Sequence, residues 1–262
     1  MEKNNIFLSD PQVLFREGMH FTLSGEDDFE VIGESTSNEE AFAGIEANPP
    51  NIAILSMTDA QVSGAEITRR IKRNFPSISV ILTLEKKEEE QLFTAIKSGA
   101  STCITKDTDP EFLLDIIRVV AQGSYPIMEE ILLPGLASMV LADFEELTAV
   151  NEQLDNLLGS LTPKEIQVLT TIAADNTIEQ VAEKLDITEE AIRRNLRLVL
   201  NKLVSNEQAR ALIEAAQRGM PAIIAGAGKR GGKAADYVTK AEFNEFKDTL
   251  MERLKSFIGE LT

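Results

Sequence analysis

The chain has 262 residues, of which 43% are hydrophobic and 26% are charged, and its formal net charge at pH 7 is −17. This length suits about two domains with buried cores, and the acidic balance excludes a protein that coats nucleic acid along its whole length. The single cysteine and single histidine exclude a disulfide framework and a zinc site of cysteine and histidine ligands. Because the sequence has neither a long apolar run nor an apolar leader, we expect a cytoplasmic protein without membrane contact.

Short apolar segments alternate with segments of helical spacing over residues 1–125. The predicted strands cover residues 6–9, 30–33, 51–55, 80–83 and 102–105. Helical spacing is clearest over residues 65–75, 89–98 and 110–122, and Asp109 followed by Pro110 is a typical helix start. This alternation predicts an α/β domain with a doubly wound, five-stranded parallel sheet, whose functional site lies beyond the carboxyl ends of the strands.

Polar residues stand at the ends of four predicted strands. Asp10 and Pro11 follow the first strand, while Ser56, Thr83 and Lys106 end the third, fourth and fifth. Since the carboxyl ends of parallel strands share one edge, we expect an acid, two hydroxyls and an ammonium to converge there. The alternative is that strand ends are simply polar and carry no function.

Four stretches of this region follow the spacing of a known family: FLSDPQVLFREGM, AILSMTDAQVSGAEITRRIK, VILTLEKKEEEQLFTAIKSGAS and TCITKDTDPEFLLDIIRVVAQG. They resemble the receiver domain of two-component response regulators over its full length. That family phosphorylates an aspartate at the end of strand three, holds Mg²⁺ with two acids after strand one, and senses the phosphoryl group with a hydroxyl and a lysine. The resemblance assigns Ser56 to the acceptor position, Asp10 and Pro11 to the acid pair, Thr83 and Lys106 to the sensing pair, and Cys103 to an aromatic switch position.

Two departures from the family pattern change the expected chemistry. A serine hydroxyl is not ionised at pH 7, and no histidine lies nearby in sequence to act as its base. Mg²⁺ prefers carboxylate oxygens, and Pro11 and Ser56 supply none. We therefore predict no phospho-aspartate cycle, no metal site and no cofactor. Asp59 is a substitute acceptor only if the loop geometry allows it, and we interpret Cys103 as a small core residue rather than a redox sensor.

A connector over residues 126–160 joins this domain to the rest of the chain. Pro134 and Gly135 are expected to break the chain, and residues 138–158 then contain no proline or glycine. A four-three apolar spacing runs along Val140, Phe144, Leu147, Asn151, Leu154 and Leu158. One hypothesis is a coiled-coil helix that pairs with a second copy, and the other is an amphipathic helix packed on one of the domains.

Three helix starts follow each other over residues 161–218. Thr162 with Glu165 and Thr177 with Gln180 form capping boxes, and Thr188 caps a third helix. A short helix, a tight turn at residues 185–187 and a further helix are typical of a helix-turn-helix motif. The third helix is basic on one side, which suits the major groove of DNA; a solvated basic face is the alternative.

The stretch LTPKEIQVLTTIAADNTIEQVAEKLDITEEAIRRNLRLVLNKL is similar to the LuxR-type DNA-binding domain of the NarL/FixJ response regulators. The family start and first-helix pattern are retained. In the recognition segment Ala191 stands for the usual threonine, so specificity differs from that of relatives. The resemblance assigns DNA contact to Thr188, Arg193, Arg194, Asn195, Arg197 and Lys202.

Residues 219–262 form an extension beyond that family pattern. A glycine-rich basic stretch over residues 226–235 lacks the residues of a phosphate-binding loop, so we expect a flexible basic linker. A capping box at Thr239 then predicts a C-terminal helix with an apolar stripe at Phe243, Leu250, Leu254, Phe257 and Leu261.

The sequence thus predicts four segments: a receiver-like domain (1–125), a linker with a helix (126–160), a LuxR-type helix-turn-helix domain (161–218), and a basic linker with a C-terminal helix (219–262). The favoured function is a transcriptional regulator that binds double-stranded DNA and is controlled independently of aspartyl phosphorylation. The alternative is a protein-interaction module in which DNA binding is minor. A homodimer through the linker or C-terminal helix and a sensor or other protein partner are further expectations, and no catalytic constellation supports an enzyme.

Overall fold

The structure is a computed structural model that describes residues 3–150 and 158–219. The strands are β1 (Asn4–Ser9), β2 (Phe29–Ser35), β3 (Ile52–Ser56), β4 (Ser79–Leu84) and β5 (Thr102–Thr105). The helices between and after them are α1 (Val13–Ser24), α2 (Asn38–Ala47), α3 (Gly64–Asn74), α4 (Glu89–Ser98) and α5 (Pro110–Ala121). A 3-10 helix (Pro126–Leu132) then leads to α6 (Pro134–Val150), α7 (Pro163–Ala173), α8 (Ile178–Leu185) and α9 (Glu189–Gly219).

The five strands form one parallel sheet in the order β2-β1-β3-β4-β5. Strand β3 is buried along its whole length, as expected for a central strand covered on both faces. Helices α1 and α5 bury Met19, Leu23 and Ile117 against one face, and α2, α3 and α4 cover the other. The predicted doubly wound α/β fold is confirmed.

Local capping signals set several helix starts. Asp109 accepts the N–H of Glu111 at 2.9 Å and precedes Pro110, so α5 begins where the sequence predicts. Helices α7 and α8 each begin with a complete capping box, at Thr162 and Thr177. Helix α4 ends at Ser98, and the following Gly99 has a φ of +86°, a left-handed conformation that favours glycine.

One continuous apolar core joins the receiver-like sheet to the C-terminal helices. It runs from the α2–α4 side of the sheet through the 3-10 helix and α6 into α7, α8 and α9. Val204 of α9 packs partly buried against this core, close to Gly99 of the receiver-like domain. The helix-turn-helix segment therefore rests directly on the receiver-like domain.

The connector differs from its prediction. Pro134 is the first residue of α6 rather than a break, because a proline ring is compatible with the first helical turn. Val140 and Phe144, the first two residues of the predicted pairing seam, are buried in the core of the same chain. At these two positions the helix packs on its own domains, and neither side chain is available to a second copy. Leu158, the last residue of the seam, is half-buried in a bend and not in a helix. Asn151 and Leu154, together with the C-terminal linker and helix, lie outside the described residues, and the side chain of Leu147 is not among those described.

Within residues 3–150 and 158–219, none of the helices combines the length and apolar character needed to cross a membrane.

Candidate functional site

The polar residues predicted at the strand ends do converge on one edge of the sheet. Asp10 is fully buried, Ser56 and Thr83 are nearly so, and the Lys106 side chain is 12% exposed. Lys106 Nζ lies 3.2 Å from the Asp10 carboxylate, and Thr83 Oγ1 donates to the same carboxylate at 3.3 Å. We call Asp10, Pro11, Ser56, Thr83 and Lys106 the sheet-edge pocket. Its acid is thus neutralised by groups of the same chain.

Ser56 is engaged within its own loop. Its hydroxyl donates to the backbone carbonyl of Thr58 at 2.9 Å. Helix α3 starts directly against this residue, since a Cβ at Gly64 would lie 2.4 Å from the Ser56 carbonyl oxygen. The histidine of the chain, His20, contacts Glu34 and not Ser56. The position that the receiver resemblance assigns to the phosphoryl acceptor therefore presents a neutral hydroxyl that is already hydrogen-bonded to Thr58.

The sheet-edge pocket does not fit the Mg²⁺ ion that the receiver resemblance implies. Of the three expected oxygen ligands, Pro11 supplies none and the Ser56 hydroxyl bonds to Thr58. The remaining carboxylate, that of Asp10, is shared by Lys106, Thr83 and the N–H of Gln12. A hard divalent cation would have to displace these donors and would gain a single carboxylate.

Asp59, the substitute acceptor weighed from the sequence, stabilises the loop between β3 and α3. Its carboxylate accepts the N–H groups of Asn38 at 3.0 Å and Gln61 at 2.8 Å. Asn38 is fully buried and donates to the carbonyls of Ser56 and Val62. The Asp59 carboxylate therefore accepts hydrogen bonds from backbone N–H groups, a role that the sequence did not reveal.

Cys103 lies inside the sheet and is 5% exposed. Burial, followed by the negative charge of Glu130, raises the pKa of the Cys103 thiol to about 12. A thiol that stays protonated at neutral pH is a poor nucleophile, which agrees with its interpretation as a core residue.

The second candidate region is the start of α9, here called the recognition helix. Helix α8 ends at Leu185, and the next residue, Asp186, makes the tight turn with a φ of +51°. Thr188 Oγ1 then accepts the N–H of Ala191 at 3.2 Å. The inner face of the helix buries Ile192, Leu196, Val199 and Leu203. This is the predicted helix-turn-helix geometry.

The three arginines of the recognition helix differ in their contacts. Arg194 and Arg197 are exposed and have no ion-pair partner among the described residues. Arg193 is half-buried and lies 3.1 Å from Glu129 of the 3-10 helix and 3.2 Å from Glu189. These two carboxylates raise the pKa of Arg193. One of the predicted DNA contacts is therefore held against the segment that follows the receiver-like domain.

The other two predicted DNA-contacting side chains of α9 are used inside the domain. Lys202 Nζ lies 2.7 Å from Glu165, whose side chain is 2% exposed, so this lysine joins α9 to α7. Burial opposes ionisation of Glu165, but Lys202 and Thr162 outweigh it and keep the pKa of Glu165 below its usual value. Asn195 donates to the carbonyl of Ala191 at 2.6 Å. The predicted DNA-contacting cations that are exposed and have no ion-pair partner among the described residues are Arg194 and Arg197.

An ion-pair network joins the later part of α9 to α6 and to the receiver-like domain. Asp143 of α6 lies 2.7 Å from Lys97 of α4 and 3.1 Å from Arg210 of α9. Glu207 of α9 lies 3.1 Å from Lys97 and 3.0 Å from Arg69 of α3. Together with the Arg193–Glu129 contact, this network defines what we call the closed arrangement.

Comparison with known proteins agrees with both halves of this description. Residues 6–118 match the response regulator receiver domain, and residues 159–215 match the bacterial regulatory proteins of the luxR family. The chain belongs to the LuxR-type response regulators. The fold and the helix-turn-helix segment of this regulator are those expected of the family.

Similar proteins extend over most of the regulator. The transcriptional regulatory protein DegU of Brevibacillus brevis is 26% identical over 228 residues, which cover 83% of this chain and 94% of that protein. A nitrate/nitrite response regulator protein homolog of Haemophilus influenzae is 28% identical over 202 residues, with coverages of 77% and 91%. Among solved structures, the response regulator RcsB of Salmonella typhimurium aligns with a TM-score of 0.45 at 18% identity, over 78% of this chain and 93% of that one.

Proposed function

We propose that this regulator binds double-stranded DNA through the arginines of its recognition helix and does so without aspartyl phosphorylation of its receiver. The observation that carries the proposal is the exposure of Arg194 and Arg197 on the first turns of a helix-turn-helix whose inner face is fully packed. Exposed guanidinium groups at this place reach base edges and phosphates of the major groove. The proposal includes the four predicted segments of the regulator, which are residues 1–125, 126–160, 161–218 and 219–262.

Independence from phosphorylation rests on the sheet-edge pocket. Ser56 has a neutral hydroxyl where the family has a carboxylate, and Lys106 and Thr83 already bind Asp10. The two groups that would sense a phosphoryl group are therefore occupied in the resting chain. The input to this receiver is a contact or a ligand rather than a phosphoryl group.

The contacts that define the closed arrangement are the ones that such an input would change. Arg193 must leave Glu129 before its guanidinium can contact DNA, and α9 carries Glu207 and Arg210 of the ion-pair network. The Arg193–Glu129 pair is partly exposed and is therefore weak, so it can be opened at small cost. The pairs of Asp143 and Glu207 are largely buried, and opening them would cost more.

The test is an affinity measurement on DNA that the regulator itself selects. Sequencing of fragments bound by the full chain supplies a specific duplex, and fluorescence anisotropy at fixed salt supplies its affinity. We expect Arg194→Ala and Arg197→Ala each to weaken binding by about 1–3 kcal/mol. Arg70→Ala, which removes an arginine of α3 that is paired with Glu39 and lies outside the recognition helix, is the control and should leave affinity unchanged. Equal affinity of all three variants and the wild type would refute the proposal.

A protein-interaction role is the second candidate, and one surface favours it. Leu14 and Phe21 of α1 are 89% and 83% exposed, which is unusual for side chains two helical turns apart on one face. A sensor, another protein or a second copy could dock there. If Leu14→Asp abolishes regulation in cells while leaving duplex affinity intact, this face serves the regulator as a partner site; if DNA affinity is absent in every form of the chain, the interaction role replaces the regulator.

A further inference from the structure

A large cleft separates the recognition helix from the receiver-like domain. Its volume is about 1350 Å³, which is above the range usual for small-molecule sites. One wall comes from α5 and the segment after it, and the other from α9. No residue of the sheet-edge pocket is among the described residues that line this cleft.

The walls of this cleft combine unpartnered apolar surface with cations. Val119 and Tyr125 of the receiver side and Leu198 of α9 are 40%, 43% and 49% exposed, and all three face this space. Large apolar side chains left open to solvent in one concave place are typical of a binding site. They give the cleft an apolar patch that is shared by the two domains.

The cleft is lined by more cations than acids, whereas the whole chain is strongly acidic. Four cations line it, Lys72, Arg193, Arg197 and Lys202, against two acids, Glu129 and Glu190. Glu129 is already paired with Arg193 and Lys202 with Glu165, whereas Arg197 has no partner among the described residues. On a chain of net charge −17, this local excess of cations favours an anion.

Lys72 is the most enclosed of these cations. Its side chain is 9% exposed, its ammonium donates to the carbonyl of Ile78 at 2.6 Å, and it lies 5.5 Å from the centre of the Tyr125 ring. Burial lowers the pKa of Lys72 to about 8, so the ammonium remains mostly protonated at neutral pH. A bound anion would further favour this charged form.

We propose that this cleft binds a small amphipathic organic anion, with an apolar ring system against Val119, Tyr125 and Leu198 and a phosphate or carboxylate facing Arg197 and Lys72. Because Arg197 is also a proposed DNA contact, the ligand and the duplex compete. This second statement rests on the proposed function, whereas binding of the ligand itself does not.

The binding test uses 2-naphthyl phosphate as the probe and calorimetry on the full chain. Inorganic phosphate and 2-naphthol represent the two halves of the probe. We expect saturable binding of one probe per chain, at least tenfold tighter than that of either half. Equal affinity for inorganic phosphate would reduce the site to a simple anion contact, and equal affinity for 2-naphthol would reduce it to an apolar patch; either result overturns the proposal, as does the absence of binding.

Variants place the probe in the cleft. Val119→Asp puts a negative charge on the apolar wall and should weaken probe binding at least tenfold, and Tyr125→Ala, a second variant that adds no charge, should weaken it at least threefold. Ile166→Asp makes the same kind of change at an exposed position of α7, outside the cleft, and should have no effect. If Val119→Asp and Tyr125→Ala both leave the affinity for the probe unchanged, the assignment of the probe to this cleft is overturned.

A DNA measurement separates this proposal from the function of the recognition helix. At saturating 2-naphthyl phosphate, the affinity for the selected duplex should fall at least fivefold. Unchanged duplex affinity would overturn the competition, and a chain that binds the duplex but not the probe would overturn the ligand site while leaving the proposed function intact.

Discussion

Lys106 and Asp10, which are 96 positions apart in the sequence, form an ion pair of 3.2 Å at the edge of the sheet. The Asp10 side chain is fully buried, and its other donors are the Thr83 hydroxyl and the N–H of Gln12. In the family pattern these groups surround a phosphorylated aspartate. Here they satisfy each other, and the pocket becomes a structural element of the receiver-like domain.

Lys106→Met should therefore destabilise the chain. The substitution keeps most of the side-chain volume but leaves the buried Asp10 carboxylate without its cation, at a cost of about 3 kcal/mol. Chemical denaturation followed by circular dichroism measures the loss in free energy of unfolding. Lys86→Met removes an exposed lysine nearby and serves as the control; equal stabilities of the two variants would contradict this role of Lys106.

Restoring the acceptor alone should not restore phosphorylation. Ser56→Asp returns one carboxylate, but Mg²⁺ still lacks the ligand replaced by Pro11. We expect weak labelling of Ser56→Asp by acetyl phosphate and at least tenfold more acyl phosphate in the double variant Pro11→Asp, Ser56→Asp. A single variant that labels as fully as the double one would show that Pro11 is not the limiting departure.

Glu129→Gln should strengthen DNA binding. The variant removes the carboxylate that lies 3.1 Å from Arg193, and because both side chains are substantially exposed the pair is weak. The corresponding gain in duplex affinity is up to about fivefold by anisotropy. Glu130→Gln, on the same 3-10 helix, breaks a contact with Lys87 instead and should have no effect. A loss of affinity in Glu129→Gln would contradict the closed arrangement.

The Glu165–Lys202 pair should make stability depend on pH. Because the pKa of Glu165 is lowered in the folded chain, the pair contributes its full stability above the ordinary glutamate pKa and loses it as the pH falls through the folded-state value. Lys202→Met should lower the free energy of unfolding by about 2 kcal/mol at pH 7, and this difference from the wild type should be smaller at pH 3.

Urea unfolding at pH 7 and pH 3 measures the difference in the free energy of unfolding between the wild type and Lys202→Met. The control variant Lys184→Met is measured in the same way. Lys184 is exposed on α8 and its ammonium donates to the neutral amide of Asn176, so any difference of its variant from the wild type should be the same at both pH values. A difference for Lys202→Met that stays constant between pH 7 and pH 3 would assign the loss to packing rather than to charge.

The sequence predicts those features that depend on neighbours along the chain. Alternating apolar segments locate all five strands to within a few residues, and the threonine caps locate α7 and α8. The convergence of Asp10, Ser56, Thr83 and Lys106 follows from strand direction alone.

Contacts between distant segments were not predictable in this way. Nothing local indicates that Glu129 meets Arg193 or that Lys202 turns toward Glu165, because helical spacing gives a face but not its neighbour. The same limit applies to α6, whose apolar spacing fits a pairing helix and a packed one equally well. Val140 and Phe144 are buried because α4 and α7 happen to lie beside them.

The most direct test of phosphorylation-independent control is the affinity of the full wild-type chain for its selected duplex before and after incubation with acetyl phosphate and Mg²⁺. The account predicts specific binding that changes less than twofold and a protein that carries no acyl phosphate. A tenfold gain in affinity accompanied by acyl phosphate on the chain would contradict it.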